Sequence, residues 1–365
     1  MSYERPNIRD MRGYTAGEQP GSSDIIKLNT NENPYPAPDT VAAALRGIDT
    51  ADLRRYPPPL AQGFREVAAQ LHGVTPDQII PVNGGDELLR LAITTFVDPG
   101  QSIGVAEPSY SLYPVLAAVQ GCGVVRVALN GDWSLPEAFA ETLNAADVKL
   151  AFVVNPHAPS GRLESVATLE RLAKAFNGVL LIDEAYADFI DPALAYDATP
   201  LVRRHDNVLI LRTLSKGYSL AGLRFAYGIG ATDLLEPMLY KTRDSYNTDL
   251  ISQRLATAAL QGREQAARGW QSVREEREAM AAALLDAGFE CLPGQANFIL
   301  AAMPPDAPLT AAALYEWLKK HGILVRYFDQ DGLRNRLRIT IGTAEQNRRL
   351  LECIRDGLNR AGQQD

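Results

Sequence analysis

Lys216 stands in the segment TLSKGYSLAGLR, residues 213–224, with Thr213 and Ser215 just before it and Arg224 eight positions after it. The apolar run NVLIL precedes the segment and reads as a buried strand, so the amine follows a strand end. A lysine in that place is either a solvated loop charge or a reactive amine. It becomes a Schiff-base nucleophile when its surroundings favour the neutral form, which a neighbouring cation such as Arg224 would promote.

Four other strand ends carry groups that one ligand could use together. They are Asn83-Gly84-Gly85-Asp86, Glu107-Pro108-Ser109-Tyr110, Asn155-Pro156 and Asp183-Glu184-Ala185-Tyr186. In an open α/β sheet, ligands gather at the carboxyl ends of strands. Gly84 and Gly85 lie between a strand and a helix start, where free N–H groups and the helix dipole favour a phosphate. Thr213, Ser215 and Arg224 offer hydroxyls and a planar cation to the same group. Asp183 ends a buried strand, needs a partner, and would suit a pyridinium N–H. Asn155 and Tyr186 would hold a phenolic oxygen, and Tyr110 offers a flat face for stacking. Each residue also has an ordinary use, as a tight turn, helix cap, Asn-Pro turn or core aromatic. Pyridoxal 5′-phosphate is the ligand that fits all of them together with Lys216.

These residues need a frame. Apolar runs alternate with helical patterns from QIIPV (79–82 and flanks) through SIGVAEP, VVRVAL, KLAFVVNP, GVLLIDEAY and NVLILRTLS to RFAYGIG. Such continuous runs separated by helices predict a mainly parallel sheet of seven strands covered on both faces. Residues 1–45 are expected to form an arm and part of a small domain. Residues 46–248 are expected to form the large ligand-binding domain. Residues 249–365 follow as a long helix (249–287), then ANFILAAM, LTAAALYEWLKKH, GILVRYF and RLRITIG, a smaller α+β domain. The net charge of −8 argues against nucleic acid, which basic patches bind. Three cysteines and four histidines lie far apart, so no metal site is expected. The start MSYERPNIRD has no apolar signal core, and no run reaches the length of a membrane span. The expected location is the cytoplasm.

The ordered set NGGDE, EPSY, NPHAPSG, IDEAY, SKGYSLAGLR and LRITIG resembles the fold-type I pyridoxal-phosphate aminotransferases of the class I/II group, over essentially the whole chain. IKLNTNENPYPAP, RRYPPP and LRITIGT are similar to the signatures of histidinol-phosphate aminotransferases. The resemblance implies that Lys216 binds the cofactor aldehyde and shuttles the substrate proton. It implies Asp183 on the ring nitrogen, Asn155 and Tyr186 on the ring oxygen, and Tyr110 stacked on the ring. Gly84, Gly85, the Asp86 N–H, Thr213, Ser215 and Arg224 would bind the phosphate. Tyr56 would reach the phosphate of the neighbouring subunit, implying a homodimer. Arg338 and Arg326 would hold the substrate anion, and Asn31 and Tyr14 belong to an arm that closes the site.

The implied reaction is amino transfer between L-histidinol phosphate and 2-oxoglutarate in histidine biosynthesis. Aromatic amino-acid aminotransferases share every motif, and threonine-phosphate decarboxylases share the lysine and arginines. A cofactor-binding protein without turnover is disfavoured by the intact Lys216, Asp183 and Arg224. The sequence departs from the group in two places. His157 and Ala158 replace two asparagines of NPNNPTG, and Ser219 stands where glycine is common.

Overall fold

Runs such as LAFVV, VLLID and VLILRT are too short for helices and too apolar for a half-wet sheet, so they form central strands buried on both faces. In the computed structural model, which describes residues 2–22 and 24–362, the strands are β1 (Ile26–Lys27), β2 (Ile79–Val82), β3 (Ser102–Glu107), β4 (Gly123–Ala128), β5 (Leu150–Val154), β6 (Val179–Asp183), β7 (Val208–Thr213), β8 (Ala226–Gly230), β9 (Glu290–Cys291), β10 (Phe298–Ala302), β11 (Ile323–Leu324), β12 (Arg326–Tyr327) and β13 (Arg336–Thr340). The large sheet has seven strands in the order β2-β8-β7-β6-β5-β3-β4. Only β8 runs against its neighbours, pairing antiparallel with both β2 and β7.

That one reversal positions the site. Six strands end on the same edge of the sheet, while β8 begins there. The register places Val82 and Thr213 opposite Ala226 from its two sides. The loops after β2 and β7 and the loop before β8 therefore meet, and these carry Gly84, Lys216 and Arg224.

A second sheet, β12-β13-β10-β9, is wholly antiparallel. The arm joins this part of the molecule, because β1 pairs in parallel with β11, Ile26 opposite Ile323. Beyond it, the Leu28 carbonyl accepts from the Thr340 N–H at 3.0 Å.

Two sequence expectations change. The single helix expected over 249–287 is two helices, Leu250–Gln261 and Arg263–Asp286, meeting at Gly262. A Cβ at Gly262 would lie 2.6 Å from Pro38 Cβ, so the residue without one is where the arm crosses. GILVRYF is also not one strand. It divides at Val325, with β11 joined to the arm and β12 to the small sheet.

Candidate active site

The Lys216 amine lies among groups from three parts of the chain. It donates to the Thr30 carbonyl at 2.8 Å, across from the arm. Burial lowers its pKa from the usual 10.5 to about 8, and the Arg338 cation is the next cause. Arg224 acts in the same direction but more weakly, so the expected neighbour is not the main one. A large share of this amine is neutral at mildly alkaline pH, the form a carbonyl carbon requires.

The phosphate-type cradle forms at the reversal of the sheet. Gly84 has φ +81° and ψ 160°, a region open essentially to glycine, and caps the helix Gly85–Phe96. A Cβ there would lie 2.5 Å from the Arg224 guanidinium. Arg224, itself at φ +57°, brings its guanidinium to 3.7 Å from the Asp86 carboxylate. Thr213 and Ser215 are buried, with Thr213 Oγ1 donating to Ser215 Oγ at 3.0 Å. The combination of free helix N–H groups, two hydroxyls and a guanidinium suits a phosphate dianion. Gly84→Ala is expected to weaken pyridoxal 5′-phosphate binding by more than about tenfold, since forcing this backbone costs ~1–3 kcal/mol before Arg224 is displaced. Absorbance titration of the cofactor-free protein checks this.

Asp183 is 5% exposed at the end of β6. Its Oδ2 accepts from Tyr113 Oη at 2.8 Å and its Oδ1 from the Ala185 N–H at 3.1 Å. Burial nevertheless raises its pKa to about 6, so a further donor would complete the shell of the carboxylate. The Tyr110 ring meets Tyr113 edge-on at 5.5 Å and Tyr14 at 5.9 Å, and its hydroxyl lies 3.5 Å from Asp86 Oδ1. Tyr186 accepts from Asn31 Nδ2 at 3.0 Å. Asn31, at φ +56°, is buried and also accepts from Thr340 Oγ1 at 3.0 Å. Asn155 follows β5, fully buried, and its side chain bonds to Glu164 and Tyr196.

Arg326 and Arg338 face each other directly across β12 and β13. Like charges in that register repel, so the pair calls for an anion between them. Both lie over the Phe328 ring, at 5.4 and 5.5 Å. Arg338 donates to the Asn29 carbonyl at 2.9 Å, while its buried Nε has no partner among the described residues. Tyr56 lies apart from all of this. It is 80% exposed and stacked on Tyr246 at 4.5 Å.

The two departures have structural accounts. Ser219 has φ +61°, the left-handed region that suits glycine. His157 is buried between two loops, with Nε2 3.0 Å from the Pro108 carbonyl and Nδ1 2.7 Å from Ser160 Oγ. A carbonyl can only accept, so Nε2 carries the hydrogen and Nδ1 accepts from Ser160. Burial lowers the His157 pKa from 6.5 to about 4. A depressed value means that its contribution to stability is whole above pH 6.5 and lost as pH falls through about 4. We expect His157→Asn to reduce that acid sensitivity by on the order of 3 kcal/mol, read as urea-unfolding free energies at pH 7 and 4. His72, lowered to about 3 by burial, supplies the background that persists.

Several contributors had no place in the sequence reading. Tyr113, Thr30, Asn297 and Tyr196 act through long-range contacts. Arg212 did carry a signal, being a charge inside the buried run NVLILRT. It pairs with Glu184 at 3.1 Å and Asp188 at 2.8 Å. Among the described residues no cluster of His, Cys, Asp or Glu is built to hold a metal ion, and no helix is long and apolar enough to cross a membrane.

Comparison with known proteins places this geometry. The family described as aminotransferase class I and II matches residues 23–354. The chain is 41% identical over 356 residues to histidinol-phosphate aminotransferase 1 of Trichormus variabilis, covering 97% of this chain and 99% of that one. It is likewise 41% identical over 356 residues to the protein of the same name from Nostoc sp., covering 97% and 98%. In fold it is similar to the histidinol-phosphate aminotransferase of Sinorhizobium meliloti, solved in complex with pyridoxal-5′-phosphate. The TM-score there is 0.89 at 22% identity, over 99% of this chain and 98% of that chain.

Proposed function

This chain belongs to the class I and II aminotransferase family, and we propose that it transfers an amino group between L-histidinol phosphate and 2-oxoglutarate, giving imidazole-acetol phosphate and L-glutamate. The observation that carries the substrate is the cross-strand pair Arg326–Arg338 beside the Lys216 amine. Two guanidiniums accept either a carboxylate or a phosphate, and the two half-reactions present one of each.

The residues present fit pyridoxal 5′-phosphate. Gly84, Gly85, Asp86, Thr213, Ser215 and Arg224 would hold its phosphate, Asp183 its ring nitrogen, Tyr110 its ring face and Tyr186 its ring oxygen. When bound, the cofactor supplies the electron sink that makes the hydrogen on the substrate α-carbon acidic. Lys216 takes that hydrogen as a proton and returns one on the other side of the transfer, a role that its lowered pKa suits. Arg338 fixes the substrate anion and thereby which α-carbon bond faces the amine. Asn31 and Tyr14 bring the arm over the site, and Tyr14 reaches the Tyr110 ring.

On the same reading the protein is a cytoplasmic homodimer. It divides into an arm (1–45), a large cofactor domain (46–248) and a small domain (249–365). The exposed Tyr56 would serve the site of the neighbouring subunit. Support comes from an aromatic pair, Tyr56 and Tyr246, held ready-stacked at the surface.

The test is single-turnover absorbance of the cofactor-loaded protein with histidinol phosphate and then with phenylalanine at equal concentration. Faster conversion to the pyridoxamine form by histidinol phosphate is expected. The opposite preference would make the protein an aromatic aminotransferase. Release of carbon dioxide from threonine phosphate, without amino transfer, would make it a lyase.

A further inference from the structure

Trp133 stands in the turn LNGDWSL after β4, where solvent would be the ordinary surroundings, yet it is buried. Its φ is +69°, a conformation that a bulky side chain keeps only where its surroundings over-determine it. The turn supplies that constraint. The Trp133 N–H donates to the Asn130 carbonyl at 2.8 Å, and Ser134 donates to Asp132 Oδ1 from its N–H at 3.1 Å and its hydroxyl at 2.6 Å. Arg162 donates to the Asp132 carbonyl at 3.1 Å, and Glu164 accepts from the Leu135 N–H at 3.0 Å. The turn is thus fastened to the loop after β5, with the indole carried away from the large sheet.

The second sheet receives it. Trp133 forms an apolar cluster, separate from the main core, with Leu300 of β10 and Leu333, and Phe328 packs against that cluster. Arg336 of β13 lies over the indole, 5.7 Å from its centre. Phe328 follows β12 directly, and Arg326 and Arg338 both lie over its ring. Three arginines of one small sheet therefore rest on two aromatic rings joined through one cluster. The Phe328 ring offsets part of the repulsion within the facing pair, because each guanidinium meets a negative π-face. Phe328 has no polar group to anchor it, so its place depends on what packs behind it.

We propose that Trp133 is a positioning residue for the substrate anion: by backing Phe328 it fixes the placement of Arg326 and Arg338, so a turn of the large sheet sets the grip of the small one. The inference rests on the histidinol-phosphate reading above. A phosphate gains most from two guanidiniums when both reach it at once, and a misplacement of about an ångström in such a clamp costs heavily. Lys216 is not part of the cluster, so proton transfer from a donor without the anion is left as it was.

The test compares two amine donors that differ only in the anion, L-histidinol phosphate and L-histidinol, in single-turnover conversion of the cofactor-loaded protein to its pyridoxamine form. The readout is the ratio of the two second-order rates, which a general loss of stability leaves unchanged because it lowers both together. Trp133→Leu keeps apolar bulk and removes the ring. It should lower the preference for histidinol phosphate by about tenfold or more, with the histidinol rate within about threefold of wild type. Trp133→Phe should restore the preference to within about threefold of wild type. Phe328→Leu should repeat the loss, and it takes the place of Trp133→Leu if that variant does not fold. A preference within about twofold of wild type in either leucine variant overturns the inference alone. A wild-type protein with no preference between the two donors overturns the functional reading and this inference with it.

Discussion

Lys216→Ala is expected to lower kcat by at least about four orders of magnitude, while the protein still folds and still binds pyridoxal 5′-phosphate. The size follows from what the side chain does. On the proposed reading the amine would hold the cofactor aldehyde and carry the substrate proton, so one deletion would remove nucleophile and base together. The fold should survive, because Lys216 contributes one hydrogen bond, to Thr30, and its burial as an amine of lowered pKa stabilises nothing. Cofactor affinity should fall far less than turnover, since the phosphate cradle is untouched. Steady-state kinetics beside a cofactor titration separates the two quantities. Amino transfer within tenfold of wild type would sink the assignment.

The second large effect belongs to Asp183→Asn. Tyr113 and the Ala185 N–H already donate to the native carboxylate, yet even with both bonds burial leaves its pKa raised to about 6. On the proposed reading a pyridinium N–H would give that buried anion its charged partner. Asparagine keeps the shape and loses the charge, so the ring nitrogen is no longer held protonated. Breaking one side of a buried charged pair costs about 3–5 kcal/mol, which places the fall in kcat between about 10² and 10⁴. Tyr113→Phe should fall on the same path with a smaller effect, because it removes one donor and leaves the charge. A loss below about tenfold for Asp183→Asn would show that Asp183 is only a turn residue.

Much of this was readable in the residues, and for a physical reason. A buried parallel strand must be apolar throughout, so the polar residue that ends each run is visible by contrast. Gly84, Tyr110, Asn155, Asp183 and Lys216 were found that way, and the structure sets their strand ends along one edge. The reversal of β8, which brings Arg224 to that edge, is a property of pairing and has no local signature. The same holds for Tyr113 and Tyr196, whose hydroxyls act 70 and 41 residues away in sequence. Arg212 carries the same kind of signal: a guanidinium within the buried run NVLILRT needs a partner for the reason that Asp183 does. Gly262 carries a signal of its own, since glycine is the weakest helix-interior residue after proline and it is where the two helices meet.

The pairing of β1 with β11 governs how the molecule is made. The arm leaves the ribosome first, but Ile323 and Thr340, its strand partners, are synthesised about 300 residues later, roughly 15–60 s at ordinary elongation rates. For about the last third of that interval Lys216 has been built while its companion carbonyl at Thr30 has no sheet to anchor it. Arg338, the residue proposed to orient the substrate, follows more than 300 residues after Thr30. Synthesis of the strand that carries Arg338, rather than emergence of the lysine, is therefore the step that completes the proposed site.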